Sequence, residues 1–358
     1  MIILAVETSC DETAIALVET KRNNSSNFKI LSNIISSQVK IHAKYGGVHP
    51  FLAQREHQKN LPLVLKKALK EAKFASDQTK IDLIAVTMGP GLEPCLWKGI
   101  NFAKDLAKKF NLPLVPINHI EAHFFANWLA PAKLEPKKVF PAIFLLVSGG
   151  HTQLILAKNF ENYRILGETR DDAAGECFDK VARILGLGYP GGPAIENEAS
   201  RLKISNLQFQ IKLPRPMLHQ KNYDFSFSGL KTAVLYHFKR QSPKTQKSKD
   251  YIGEMAKEIQ QAVIDVLIKK TFFAAQNYKI KTITLGGGVA SNKELRKQFK
   301  EKIKEEKNKV KLLIPPPKYC TDNAVMVGIA GFFRFSKDKK KMKKKIEAKA
   351  NLKISSGL

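Results

Sequence analysis

The sequence predicts an α/β protein with two domains built on the same plan. Strand-like and helix-like patterns alternate along the chain, which is typical of α/β folds. An apolar strand, a small polar turn and a second apolar strand occur at 2–19 and again at 142–157, and the two turns are about 140 residues apart, roughly the length of a domain. The 358 residues also exceed the size to which one hydrophobic core usually grows.

The first half of the chain contains four strand patterns and three helix patterns. Short apolar runs indicate the strands, and apolar residues that recur every three or four positions indicate the helices. We expect strands over 2–6, 14–19, 81–87 and 114–115 and helices over 55–73, 97–110 and 118–129. The polar turn 7–13 joins the first two strands, and a Gly-Pro-Gly turn at 89–91 follows the third.

The second half repeats this alternation and ends in a basic tail. We expect strands over 142–147, 152–157 and 282–285 and helices over 175–185, 252–277, 292–307 and 322–333. The polar, Lys-rich segment 241–250 is predicted to be a solvated loop. The residues after about Ser336, which include the Lys-rich run 337–345, are predicted to lie outside the core.

The chain is strongly basic. It contains 60 Lys and Arg against 32 Asp and Glu, a formal net charge of +28. Such a charge attracts polyanions such as RNA, although a Lys-rich surface produced by a biased base composition explains the excess equally well. The four cysteines are scattered, which argues against a zinc ribbon, a CxxC redox centre or a disulfide framework.

Membrane and secretory segments are not indicated by the sequence. The longest apolar runs, 139–147 and 324–333, are far shorter than the roughly 18 residues that a membrane span needs. The N-terminus has no cationic region ahead of its apolar stretch. We therefore expect a cytoplasmic protein without membrane contact.

His119 and His123 form the first chemical motif. Residues four apart project from one face of a helix, so the two imidazoles could hold one metal ion, although a pair at this spacing is more often incidental. Glu121 lies about 200° around the helix from His119 and points away from the pair, so the zinc-protease arrangement H-E-x-x-H is excluded. Asp322, which opens the last predicted helix, is either a helix cap or a third ligand.

Two glycine-rich turns follow predicted strands. Ser-Gly-Gly-His-Thr at 148–152 could bring backbone N–H groups close to an anion, or it is an ordinary hairpin. Three glycines at 286–288 lead into a helix, where Ser291 and Glu294 have capping-box spacing, and such a turn suits a nucleotide. Neither turn is a Rossmann or Walker A motif. The acidic run 171–179 is compatible with a helix N-terminus.

In this order, the motifs closely resemble the TsaD family of tRNA N6-adenosine threonylcarbamoyltransferases. The resemblance spans nearly the whole chain, and the joint order of the motifs is highly specific although each alone is weak. The matching segments are 6–13, 45–48, 89–92, 119–123, 146–152, 171–180, 189–193, 286–289 and 320–323. Two segments depart from the usual family pattern, 49–55 and 93–97, and both lie in the N-terminal lobe, where the family meets a small paralogue.

The resemblance implies the actin/Hsp70/sugar-kinase (ASKHA) superfold, with two ribonuclease-H-like lobes and a nucleotide bound between them. We expect an N-terminal lobe over 1–117, a C-terminal lobe with the metal and nucleotide site over 118–336, and a basic tail over 337–358. The implied reaction transfers the threonylcarbamoyl group from threonylcarbamoyl-AMP to N6 of adenosine 37, forming t6A in tRNAs that read codons beginning with A. An ASKHA-type small-molecule kinase, a non-catalytic scaffold paralogue and a basic RNA-binding protein are the alternatives.

The resemblance also implies site residues and partners. His119, His123 and Asp322 match the family's ligands for a divalent metal ion, iron first and zinc second. The residues that match its contacts to the donor are Leu146, Val147, Ser148, Gly149, Gly150, Asp179, Gly192, Asn292 and, where some relatives carry Asp, Glu196. Asp11 and Glu12 are candidates for activating the amine or placing the tRNA. Expected partners are tRNA, a TsaB-type paralogue, a TsaE-type ATPase and an upstream threonylcarbamoyl-AMP synthase.

Overall fold

The computed structural model describes residues 1–21, 27–74, 80–129, 135, 138–202, 208–306, 310–337 and 346–354. The chain divides into two compact units, and each has its own five-stranded sheet. The first unit comprises Met1–Phe140, Phe160–Asn162 and Lys318–Leu358, and the second comprises Pro141–Asn159 and Tyr163–Pro317.

The sheet of the first unit is mixed. Its strands are β1 (Ile2–Glu7), β2 (Glu12–Thr20), β3 (Phe28–Ser37), β4 (Leu83–Gly89) and β5 (Leu114–Asn118). Their order is β3-β2-β1-β4-β5, in which β1, β2 and β3 are antiparallel and β4 and β5 run parallel to β1. Every residue of β4 is buried, because both faces of a central parallel strand are covered.

Helices cover both faces of this sheet. They are α1 (Val39–Ala43), α2 (Pro50–Glu71), α3 (Glu93–Phe110), α4 (His119–Phe125) and, last in the chain, α11 (Ala324–Lys337). Side chains alternate along a strand, so Leu4 and Val6 pack with α2 and α3 in one core. On the other face, a Cβ added to Gly331 of α11 would lie 2.7 Å from Ala85 Cβ, which shows how closely α11 lies on the strands.

The observed units differ from the boundaries expected from the sequence. The sequence predicts residues 118–140 and 318–336 in the C-terminal lobe, whereas the structure places them in the first unit. The physical reason is the apolar surface of α11, whose residues Ala324–Ala330 are almost completely buried and which packs against β1, β2 and β4.

The C-terminal residues 346–354 pack against the first unit, contrary to the expectation that the tail lies outside the core. Ile346 belongs to the core formed by α2 and α3, and Ile354 is also buried. Lys349 N donates to Met88 O at 2.8 Å, and Gly91 N donates to Ala350 O at 3.1 Å, so the segment is tied to the end of β4. The prediction that everything after Ser336 lies outside the core is therefore wrong for these residues, while 338–345 lie outside the described residues.

The second unit repeats the topology of the first. Its strands are β6 (Ala142–Val147), β7 (Thr152–Ala157), β8 (Tyr163–Glu168), β9 (Thr282–Gly286) and β10 (Lys311–Leu313). The order is β10-β9-β6-β7-β8, with β6, β7 and β8 antiparallel and β9 and β10 parallel to β6. The strand–turn–strand similarity seen in the sequence thus extends to two complete sheets of the same connectivity.

Six helices of the second unit are described. They are α5 (Ala174–Ile184), α6 (Gly191–Arg201), α7 (Ser228–Lys239), α8 (Pro243–Gln246), α9 (Lys249–Asn277) and α10 (Lys293–Glu305). The segment 241–250 was predicted to be a loop, but it contains α8 and the start of α9, since Ser242 and Ser248 each cap a helix with their side chains. None of the described helices has the length and apolar character of a membrane span.

Candidate functional site: a His-His-Asp centre and a set of glycine-rich turns

A short helix places two imidazoles side by side. Asn118, at the end of β5, accepts hydrogen bonds from Ile120 N at 2.9 Å and Glu121 N at 3.3 Å, so α4 begins at His119. His119 and His123 then lie one turn apart, with ring centroids 4.7 Å apart and nearly perpendicular planes. Both side chains are buried.

Asp322 completes the group from the other end of the chain. Its Oδ1 lies 3.5 Å from His119 Nε2 and 3.1 Å from His123 Nε2. The cap of α11 is its neighbour Asn323, whose Oδ1 accepts from Met326 N at 3.2 Å. Of the two roles that the sequence left open for Asp322, the structure therefore supports the carboxylate beside the histidines.

Glu7 orients His119 and was not singled out by the sequence. This carboxylate is fully buried and accepts hydrogen bonds from Ser9 N and from Thr87 Oγ1, both at 2.6 Å, and from His119 Nδ1 at 3.1 Å. A ring that donates through Nδ1 presents its Nε2 to Asp322. The only sequence signal was an acid at the end of a buried strand.

The pKa values of the two histidines are shifted in opposite directions. Burial alone would lower the pKa of His119, but Asp322 and Glu7 outweigh it and raise this pKa to about 9. Burial lowers the pKa of His123, and Asp322 opposes this only in part. His119 also counteracts the effect of burial on Glu7, so the pKa of Glu7 is lowered.

The donor set fits a divalent metal ion. Two imidazole nitrogens and one carboxylate oxygen lie within 4.8 Å of one another, and this combination binds zinc or iron. The hydrogen bond from His119 Nδ1 to Glu7 is the second-layer contact that metal-binding histidines usually make. A cation that binds at His119 Nε2 displaces a proton, so its affinity is expected to rise with pH.

The acid between the two histidines has a different role. Glu121 is buried, and its Oε2 accepts from Arg334 Nε of α11 at 2.8 Å. The prediction that Glu121 points away from the histidine pair is confirmed, and the pair it forms with Arg334 ties α4 to α11.

The turn between β1 and β2 carries two acids that repel each other. Burial raises the pKa of Glu12 to about 10, and the carboxylates of Asp11 and Asp322 add to the effect. Ser37 Oγ donates to Glu12 Oε1 at 3.1 Å. Because Asp322 contributes to this shift, the turn belongs to the same electrostatic environment as the His-His-Asp centre.

In the second unit, two glycine-rich turns lie at the ends of adjacent strands. β6 and β9 are parallel and pair Leu146 with Gly286, so the turns that follow them are neighbours. Gly287 has a φ of +89°, and a Cβ there would lie 2.3 Å from Val147 O, so only glycine fits. By contrast, nothing lies within 4 Å of a Cβ added to Gly149 or Gly150.

Ser148 and Asp179 shape the space around these glycines. Ser148 Oγ accepts from His151 N at 3.1 Å and closes the turn, while Ser148 O accepts from Gly175 N at the start of α5. Asp179 Oδ1 accepts from Gly191 N at 2.6 Å and holds the start of α6. A Cβ on Gly192 would meet nothing within 4 Å.

Glu196 and Asn292 connect α6 to α10. Glu196 Oε1 accepts from Lys293 N at 2.6 Å, and Asn292 caps α10 by accepting from Leu295 N at 2.9 Å. The capping box predicted from Ser291 and Glu294 is therefore wrong, because the capping residue is Asn292. The contacts thus connect the start of α5 to the turn 148–150, the start of α6 to α5 and the start of α10 to α6. Helix N-termini favour anions such as phosphate.

The motifs and this geometry agree with a known family. The family model of TsaD, tRNA N6-adenosine threonylcarbamoyltransferase, matches residues 29–329. The chain belongs to this family. The family predicted from the motifs is thus confirmed, and with it the predicted class of enzyme, a transferase that forms t6A on tRNA.

Curated members of the TsaD family resemble the chain over nearly its full length. The tRNA N6-adenosine threonylcarbamoyltransferase of Thermosipho africanus is 48% identical over 354 residues, which cover 99% of this chain and 100% of that protein. The enzyme of the same name from Thermosipho melanesiensis is 51% identical over 337 residues, which cover 94% and 95%.

Solved structures support the fold. HypF of T. kodakarensis is 13% identical with a TM-score of 0.57, and the match covers 94% of this chain and 48% of HypF, so this chain spans about half of that length. Full-length HypF in its phosphate- and nucleotide-bound form has a TM-score of 0.56 at 12% identity and is covered to 56%. With two sheets of identical connectivity, this likeness confirms the predicted fold, an α/β architecture with two units built on the same plan.

Proposed function

We propose that the enzyme takes the threonylcarbamoyl group from threonylcarbamoyl-AMP and transfers it to N6 of adenosine 37, in tRNAs that read codons beginning with A. The observation that carries this proposal is the His119–His123–Asp322 group in a chain of this family. A small-molecule kinase of the same superfold has no need of these three side chains. We expect the threonylcarbamoyl transfer to take place in the cytoplasm, where tRNA is modified.

The rate of this transfer depends mainly on how the donor and the acceptor amine are positioned. In the donor, a mixed anhydride, the carbamoyl carbon is already activated: N6 attacks it, the bond to the phosphate oxygen breaks, and AMP leaves. The exocyclic amine of adenine is a poor nucleophile, so correct placement supplies much of the rate. Backbone N–H groups of the turn 148–150 are suited to hold the phosphate, since the space above Gly149 and Gly150 is open.

Iron, or alternatively zinc, is the ion we assign to His119, His123 and Asp322. A divalent ion there would supply a Lewis acid that offsets negative charge on the donor. Glu7 orients the ligand His119 for this role, because it holds the ring with Nε2 directed at Asp322. Glu121 and Arg334 keep α4 in place behind the histidines.

Asp11 and Glu12 are proposed to contact the acceptor adenosine. With its pKa near 10, Glu12 is protonated at neutral pH and donates a hydrogen bond rather than removing a proton. The neighbouring carboxylate of Asp11 is then the group suited to accept the proton that N6 loses.

Partners are proposed from the surface and from the family. The helix α2 exposes Phe51 (65%) and Leu63 (59%), large apolar side chains that suit a TsaB-type paralogue on the first unit. The net charge of +28 suits tRNA. A TsaE-type ATPase and an upstream threonylcarbamoyl-AMP synthase complete the proposed set.

The test is direct measurement of the product. Purified protein, synthetic threonylcarbamoyl-AMP and an unmodified tRNA are combined with and without the partners, and mass spectrometry of digested nucleosides measures t6A. We expect product with the wild-type protein and with His219→Ala, a variant of an exposed histidine, and no product with His119→Ala/His123→Ala. Absence of t6A with intact donor and active partners, together with ATP-dependent phosphorylation of a sugar or acetate, would favour the kinase instead.

A further inference from the structure

A fully buried histidine on α2 contacts both ends of the acidic turn. His57 Nε2 lies 2.9 Å from Cys10 O, and His57 Nδ1 lies 2.8 Å from Thr13 Oγ1. Cys10 precedes Asp11 in the chain and Thr13 follows Glu12. One ring on a 22-residue helix therefore holds the two residues that flank the acidic pair.

The donors and acceptors of these contacts are determined by chemistry. A carbonyl oxygen only accepts, so Nε2 carries the proton and donates to Cys10 O. In a neutral ring Nδ1 then accepts from the Thr13 hydroxyl, which leaves both ring nitrogens satisfied. Burial lowers the pKa of His57, so the ring is neutral at physiological pH and this arrangement is the stable one.

A second contact fixes the middle of the turn. Gln38 N donates to Asp11 O at 3.0 Å. The Gln38 side chain is itself held, since Nε2 donates to Ala53 O of α2 at 3.4 Å and Oε1 accepts from His42 Nε2 at 3.1 Å. Three contacts, at positions 10, 11 and 13, thus attach the turn to α2 and to the segment before it.

We infer that His57 is a positioning residue for the transfer reaction, which holds the turn 10–13 so that Asp11 and Glu12 face the acceptor adenosine. This inference rests on the proposed role of the two acids. The ring nitrogens of His57 contact Cys10 O and Thr13 Oγ1, so His57 acts on the turn through these two residues. Because its ring is neutral and buried, its contribution is geometric rather than acid–base.

The experiment uses the full chain and variants that remove the contacts separately. His57→Leu loses both hydrogen bonds. Thr13→Val loses only the bond between His57 Nδ1 and residue 13, because valine has the shape of threonine without the hydroxyl. His57→Gln retains an amide that can donate to Cys10 O. His219→Gln is the matched control on an exposed histidine. Hydrogen–deuterium exchange of a peptide covering 7–14 measures the order of the turn without any substrate, and t6A formation and zinc affinity are measured alongside.

We expect exchange in 7–14 to be at least about tenfold faster in His57→Leu, intermediate in Thr13→Val and near wild type in His57→Gln. The kcat for t6A should fall by about 100-fold in His57→Leu, with the KM for the donor and the zinc affinity within about twofold. Unchanged exchange, an unchanged kcat, or a loss that appears equally in zinc affinity would overturn the inference. If even the wild type forms no t6A, the proposed function fails, and the exchange arm alone still decides whether His57 holds the turn.

Discussion

Replacing Arg334 by Met should destabilise the first unit through the carboxylate left behind. Glu121 is 1% exposed, and Arg334 is the cation that pairs with it, with Nε 2.8 Å from Oε2. Breaking a buried pair by removing one partner costs about 3–5 kcal/mol. The Arg334 side chain is 25% exposed, so water can reach the vacated position, and we expect a loss of about 3 kcal/mol.

The pH dependence has a definite sign. Burial raises the pKa of Glu121 even with Arg334 present, and the variant loses the cation that opposes this. Above the unfolded pKa of 4.5, the folded variant then retains a proton that the unfolded chain releases, so its stability falls as pH rises. The deficit of Arg334→Met should therefore be larger at pH 7.5 than near pH 5.

The assay is urea unfolding followed by tryptophan fluorescence. Both tryptophans, Trp97 and Trp128, lie in the first unit and report on it specifically. Glu121→Gln/Arg334→Met is the control, because it removes the buried charge and should recover most of the loss. A deficit of less than about 1 kcal/mol at neutral pH, or a double variant as unstable as the single one, would refute the reasoning.

Four further substitutions test other parts of the structure. Asp322→Asn and Glu7→Gln should each weaken zinc binding about 10- to 100-fold, measured by competition with a chromogenic chelator, and unchanged affinity would contradict the assigned centre. Glu12→Gln should remove a decline in stability between pH 5 and 9, because Glu12, with a folded pKa of about 10, keeps a proton that the unfolded chain loses above pH 4.5. Denaturation at several pH values measures the free energy of unfolding. The same decline with pH in the wild type and the variant would contradict this prediction. Ile346→Ala should cost about 2–3 kcal/mol in urea unfolding, since Ile346 fills the core of α2 and α3, and a cost near zero would show that the C-terminal segment does not pack there.

Features that depend on neighbours in sequence could be predicted from the sequence. Helix periodicity placed His119 and His123 on one face and Glu121 on another, and both follow from the 100° rotation per residue of a single helix. The glycine-rich turns were also predicted, because a strand followed by small residues is a local pattern. Less regular elements were missed: β3 exposes residues on both faces, so its alternation is weak.

Contacts between distant segments were decided by the tertiary structure. Glu7 is 112 residues from His119, and they meet only because β1 pairs with β4 and β4 with β5, which delivers the start of α4 to the end of β1. Likewise, His57 lies 47 residues from Cys10 and has no motif of its own.

The sequence by itself determined the family, the α/β class, the repeated plan and the residue types of the centre, since each resides in short segments whose order is specific. The tertiary structure decided that Asn323 rather than Asp322 caps α11, that 346–354 pack into the first unit, and that Glu7 and His57 support the centre and the acidic turn. The physical reason is that burial and hydrogen bonding between distant residues depend on how sheets and helices pack, which a local pattern does not encode.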